Sequence, residues 1–85
     1  MGTVPIRVWK DLYDVYKEVS DKAKIILSDF ISLILLYAGV KEWLLISYVL
    51  QKEFDLKYEE AYEYATFIRD NLRKVMKEYI GDESA

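Results

Sequence analysis

Six residues near the amino terminus, Thr3-Val4-Pro5-Ile6-Arg7-Val8, constrain the fold of this chain more than any other stretch. They alternate, placing Val4, Ile6 and Val8 on one face of an extended segment and Thr3, Pro5 and Arg7 on the other. Everything after them reads as helix. A strand cannot leave its backbone donors and acceptors unpaired against a core. No second strand pattern exists in the chain, so the simplest expected partner is the same strand of another copy. The expected fold class is therefore mainly α, with an amino-terminal strand pairing antiparallel across a homodimer. A ribbon of two strands has the width to enter the DNA major groove.

Size supports the expectation of self-association. Eighty-five residues make one small domain, yet 53% of them are hydrophobic, more than a small monomer readily hides. There is no cysteine and no histidine, which excludes disulfides, thiolate nucleophiles, the usual zinc sites and the commonest general base. Gln51 and Asn71 are the only side-chain amides, whereas Lys, Glu, Tyr and Ile abound, as in proteins adapted to high temperature. The net charge of −3 argues against a generic nucleic-acid coat, but its distribution is uneven. The chain through Lys24 carries +1, while the part from Tyr58 onward carries −3. The most apolar run, Phe30 to Val40, is too short for a membrane span of about 20 residues, and no signal-peptide pattern opens the chain. An intracellular protein without membrane contact is expected.

Four helices follow the strand pattern. The first, over 10–24, repeats Leu12, Tyr16, Val19 and Ala23 on one face, with charged residues mostly opposite. The second, over 29–38, is expected to start at a Ser28 cap with Asp29 in its first turn. Phe30, Ile31, Ile34 and Leu35 make it apolar nearly all round, which predicts burial on most sides; Gly39 is a plausible stop, with an uninterrupted helix through it as the alternative. The third, over 40–54, carries Trp43, Ile46, Leu50 and Phe54, with Leu44, Leu45, Tyr48 and Val49 broadening the stripe toward deep packing. The fourth, over 58–80, is the cleanest amphipathic element, with a seam of Tyr58, Ala61 or Tyr62, Ala65, Ile68, Leu72, Val75 and Tyr79. Residues 81–85 read as a frayed acidic tail.

The order strand, helix, short turn, capped helix resembles the ribbon-helix-helix family of DNA-binding proteins. The residues that carry the resemblance are Val-Pro-Ile-Arg-Val (4–8), Lys-Asp-Leu-Tyr-Asp-Val-Tyr (10–16) and Leu-Ser-Asp-Phe-Ile (27–31). It covers Thr3 to Gly39, and it divides the chain into a motif at 1–39 and a helical extension at 40–85 packed into the same domain. The resemblance implies a homodimer with Pro5 near its two-fold axis and Thr3, Pro5 and Arg7 facing DNA bases. It also implies a phosphate clamp of Lys24, Ser28 and Asp29. Val4, Ile6, Val8, Leu12, Tyr16, Val19, Phe30, Ile31, Ile34 and Leu35 would form the core and dimer contact.

Chemistry-bearing motifs are otherwise absent from the sequence. There is no glycine-rich phosphate loop, no cofactor fingerprint and no nucleophile with a base at motif spacing, so neither catalysis nor a cofactor is expected. Glu59, Glu60 and Glu63 have no accompanying histidine and suggest a solvated helix face rather than a metal site. The sequence thus leads to a homodimeric transcriptional regulator that binds double-stranded DNA. The alternative is an antitoxin-type or adaptor protein whose carboxyl-terminal helices hold a protein partner. Among the tyrosines of the fourth helix, Tyr64 lies off the seam and is the better candidate for such a contact.

Overall fold

The absence of histidine, cysteine and all but one proline leaves a chain dominated by good helix formers, and helix is what forms. The structure, a computed structural model, describes residues 2–81. It contains α1 (Lys10–Ala23), α2 (Leu27–Lys41), α3 (Trp43–Phe54) and α4 (Tyr58–Tyr79). The acidic tail expected at 81–85 lies, beyond Gly81, outside the described residues.

The amino-terminal strand is not there. Residues 2–9 form neither strand nor helix, and the described residues contain no β-strand at all. Trp9 has extended backbone (φ −62°, ψ 137°), but alternation supplies only the local half of a strand. A ladder also needs a second segment to receive its hydrogen bonds, and none of the described residues provides one. Val4 and Ile6, the residues expected to lie on the helices, are exposed. The expected ribbon-helix-helix architecture is therefore overturned: the secondary structure of the described residues is all-α, and the resemblance to that family stops at the sequence pattern.

Two compact units make up the chain, Met1–Ser32 and Leu33–Ala85, with the division falling inside α2. In the first unit, α1 is held along its solvent side by ion pairs one turn apart. These are Lys10–Asp14 at 2.7 Å, Lys17–Asp21 at 2.6 Å and Lys22–Glu18 at 2.9 Å. Lys24 stops the helix by turning left-handed (φ 58°, ψ 46°), so that its N–H and that of Ile25 reach the Asp21 and Ser20 carbonyls. The edge of one ring then meets the other between Tyr16 and Phe30, with centroids 5.7 Å apart. Ser20 is buried, and its hydroxyl is satisfied by donating to the Lys17 carbonyl.

The start of α2 differs from expectation. The Phe30 N–H donates to the Ile26 carbonyl, so the first turn closes from Ile26 and Ser28 lies inside the helix instead of capping it. Gly39 does not end α2 either; the helix runs through it to Lys41. The physical reason is packing. A Cβ on Gly39 would collide with the Leu72 side chain and stand 3.3 Å from Ile68 Cγ2, so this glycine serves close approach to α4 rather than chain reversal. Around that contact Leu36, Val40 and Met76 form the core of the second unit, with Leu72 and Val75 packed against it.

A single residue, Glu42, separates α2 from α3, and its N–H still donates to the Ala38 carbonyl. The turn from α3 to α4 is equally local. Asp55 turns left-handed (φ 57°), and its N–H and that of Leu56 reach back to the Leu50 carbonyl. Glu59 and Glu60 then sit at the positive end of the α4 dipole and Lys77 at its negative end. Helices α3 and α4 pack as a hairpin, and the small residues Ser47, Ala61 and Ala65 are buried, as close helix approach requires.

Candidate interaction surface

The side of α3 that meets α4 is built on Trp43, whose indole is held between two residues of α4. The Tyr62 ring stands edge-on at 5.4 Å, and the Arg69 guanidinium carbon lies 4.6 Å from the ring centroid. Tyr62 and Arg69 are seven residues, or two turns, apart, a rise of about 10.5 Å that an indole fits between. Tyr58 extends the cluster, with its ring 5.9 Å from that of Tyr62. Arg69 Nε also donates to Asp70 Oδ1 at 3.0 Å, so the cation is held from both ends. Near the middle of α3, the Gln51 amide donates to the Ser47 carbonyl and hydroxyl. Buried polar side chains are all satisfied among the described residues.

The opposite side of α3 is the unusual one. Helical spacing turns Leu45 and Val49 directly away from Ser47, with Leu44 and Tyr48 on the flank. All four are exposed, Leu44 at 61% and Leu45 at 55%. No residue from Trp43 to Gln51 carries a charge; Lys52 and Glu53 in the last turn are the only ions on the helix. Lys52 lies with its ammonium 5.9 Å from the Tyr48 ring, its stem along the apolar face. The sequence reading took these four residues as deeply packed, and within one chain they are not.

Other large apolar side chains are uncovered too. On α4, Tyr64 is exposed together with Phe67, one turn on, which sequence reasoning passed over. Tyr58, Tyr62 and Tyr79, expected on the seam, also show more than a third of their surface. On α1, Leu12, Val15 and Val19 form an exposed row, and a shallow hollow is lined by Arg7, Val8, Trp9 and Leu12.

The residues expected to bind DNA are placed as follows. Thr3, Pro5 and Arg7 lie in the irregular exposed segment before α1. Lys24 is the left-handed residue that ends α1, while Ser28 and Asp29 occupy the first turn of α2; all three are exposed. Of the expected core and dimer set, Tyr16, Phe30, Ile31 and Ile34 are half-buried. Val4, Ile6, Val8, Leu12, Val19 and Leu35 are exposed. Among the described residues no three acidic, histidine or cysteine side chains gather into a metal-binding group, and no single helix is long and apolar enough to cross a membrane.

Comparison with known proteins adds no family: no family model matches the chain, and no curated protein or solved structure is significantly similar to it. The uncovered helix faces are therefore the features from which function has to be read.

Proposed function

We propose that this chain is a helical assembly module, an adaptor-type protein that acts by binding protein through uncovered apolar helix faces, beginning with a second copy of itself. The observation that carries this reading is the set of large apolar side chains left open on the helices: Leu44, Leu45, Tyr48 and Val49 on α3, Leu12, Val15 and Val19 on α1, and Tyr64 and Phe67 on α4. Among the described residues the buried hydrophobics are few and mostly small, namely Leu36, Val40, Ala61, Ala65 and Met76.

A DNA-binding role drew its geometry from the ribbon, and with that ribbon overturned nothing presents Thr3, Pro5 and Arg7 together to a groove. The acidic balance of the chain, with a pI near 4.9, favours the protein-binding reading as well.

Association stabilises whatever it buries, so the melting temperature of the full chain should rise with protein concentration. Thermal unfolding followed by circular dichroism over a hundredfold range of concentration tests this. A melting temperature that does not move, together with a monomer mass in sedimentation equilibrium at the highest concentration, overturns the reading.

A further inference from the structure

We infer that the outer face of α3 is a two-fold interface between copies of this chain, with Leu45 of one copy set against Val49 of the other and the two α3 helices antiparallel. This rests on the assembly reading above and names the surface and its occupant.

Two observations carry it. First, Leu44, Leu45, Tyr48 and Val49 make an apolar row on the side of α3 turned away from α4, so they are uncovered without being part of the core of their own unit. The exposed apolar rows of α1 (Leu12, Val15 and Val19) and α4 (Tyr64 and Phe67) run beside salt-bridged or acidic residues, whereas no residue from Trp43 to Gln51 carries a charge. Second, the ends of the row are oppositely charged: Glu42 precedes the first turn and Lys52 lies in the last. Antiparallel pairing of identical helices sets Glu42 near the partner's Lys52 at both ends, and parallel pairing sets like charges together. The register that aligns these charges is the same one that brings Leu45 opposite Val49.

A lipid surface is the competing occupant for an apolar helix face. An anionic membrane selects basic residues around such a face. Here the row is bordered by one lysine and one glutamate on a chain of net charge −3, which suits a self-complementary partner better.

Three variants and a cross-link test the interface on the full chain. Leu45→Glu/Val49→Glu changes only exposed positions, so helicity by circular dichroism should equal wild type, while sedimentation should shift from twice the 10.1 kDa chain mass to one chain mass. Lys52→Glu should weaken self-association by at least about tenfold, and adding Glu42→Lys should restore it. The chain has no native cysteine, so Leu45→Cys and Val49→Cys can be read cleanly. Mixed under oxidation, the two single variants should form the 45–49 cross-link faster than either forms its own 45–45 or 49–49 pair.

The outcomes separate. A wild-type chain that is monomeric throughout overturns the assembly reading and this interface together. A dimer that survives Leu45→Glu/Val49→Glu leaves the assembly reading standing and overturns this interface. Preferred 45–45 and 49–49 cross-links overturn the antiparallel arrangement. Should the double glutamate variant fail to fold, the charge-reversal pair and the cross-links decide alone. Wild-type flotation with vesicles of phosphatidylcholine and phosphatidylserine, lost in the glutamate variant, would assign the face to lipid and overturn the proposal.

Discussion

The guanidinium carbon of Arg69 lies 4.6 Å from the centre of the Trp43 ring, pinning the start of α3 to the middle of α4. The Arg69 side chain is only 21% exposed, so part of the attraction is shielded from water. Arg69→Ala should cost about 1–2 kcal/mol of stability, through both the lost cation–π contact and the lost cover over the indole. Arg69→Lys should cost less. The reporter is Trp43 fluorescence in a Trp9→Phe background, since Trp9 is exposed and would obscure the signal. Emission should move to longer wavelength in Arg69→Ala; an unchanged spectrum and stability would refute the contact.

Gly39 and Leu72 are coupled through space that a methyl group would need. Gly39→Ala gains up to about 1 kcal/mol of helix propensity but must displace the partly buried Leu72, an overpacking cost of about 1–3 kcal/mol. The net expectation is a destabilisation of about 1 kcal/mol. Leu72→Ala removes the clash, so the double variant should be more stable than the sum of the two single changes predicts. Denaturant unfolding of the four proteins in the cycle measures the coupling, and strict additivity would contradict it.

The ion pairs of α1 give that helix a contribution that depends on alkaline pH. Hydrogen bonding to the Asp14 carboxylate, reinforced by its charge, holds the Lys10 pKa above the usual 10.5, and Asp21 acts likewise on Lys17. A lysine whose pKa is raised in the folded state contributes stability that is complete below 10.5 and lost as pH rises through the raised value. The small contribution of these two pairs to helicity should therefore hold from neutral pH to about 10 and fade only above that. Far-UV circular dichroism checks this, with Lys10→Gln/Lys17→Gln as the control in which the alkaline decline weakens. A loss of helicity already complete near pH 9 would show that other groups govern it.

Arg7 sits in the irregular segment before α1, with no ribbon to aim it. Wild type and Arg7→Ala should show the same weak affinity for random duplex DNA at low salt. A steep fall of wild-type affinity with salt, reduced in Arg7→Ala, would indicate phosphate neutralisation and return DNA to the list of partners.

How far the sequence spoke for the fold depends on the element. Helices α1 and α4 were legible nearly to the residue because each has a charged side, and the apolar side follows by elimination. The turn at 55–57 was placed, but its Asp55 carboxylate reads as a cap for α4, whereas Asp55 ends α3 by turning left-handed and Lys57, without a side-chain cap, opens α4. Helices α2 and α3 were located but not oriented, since a segment apolar all round has no period to show which face goes inward. Gly39 read as a stop because glycine commonly ends helices; its use as a point of contact depends on Leu72, thirty-three residues away. Thr3 to Val8 misled for the same kind of reason. Alternation describes one strand, whereas strand formation is a property of two.

The candidate surface was half visible. Leu44, Leu45, Tyr48 and Val49 stood out in the sequence as apolar, and nine residues without a charge was the signal that their helix expected cover. That signal cannot say whether the cover comes from the same chain or another.

What the sequence by itself determined is local. It set the bounds of α1 and α4 to within a residue, the left-handed ends at Lys24 and Asp55, and which charges pair one turn apart, because these depend on residues within four or five positions of one another. Tertiary structure alone decided that Gly39 seats Leu72, that Trp43 lies between Tyr62 and Arg69, and that Leu45 and Val49 face outward. Burial is a contest among all apolar faces for a limited number of neighbours, and in a chain with more such faces than its own helices can cover, only the packed structure shows which ones are left open.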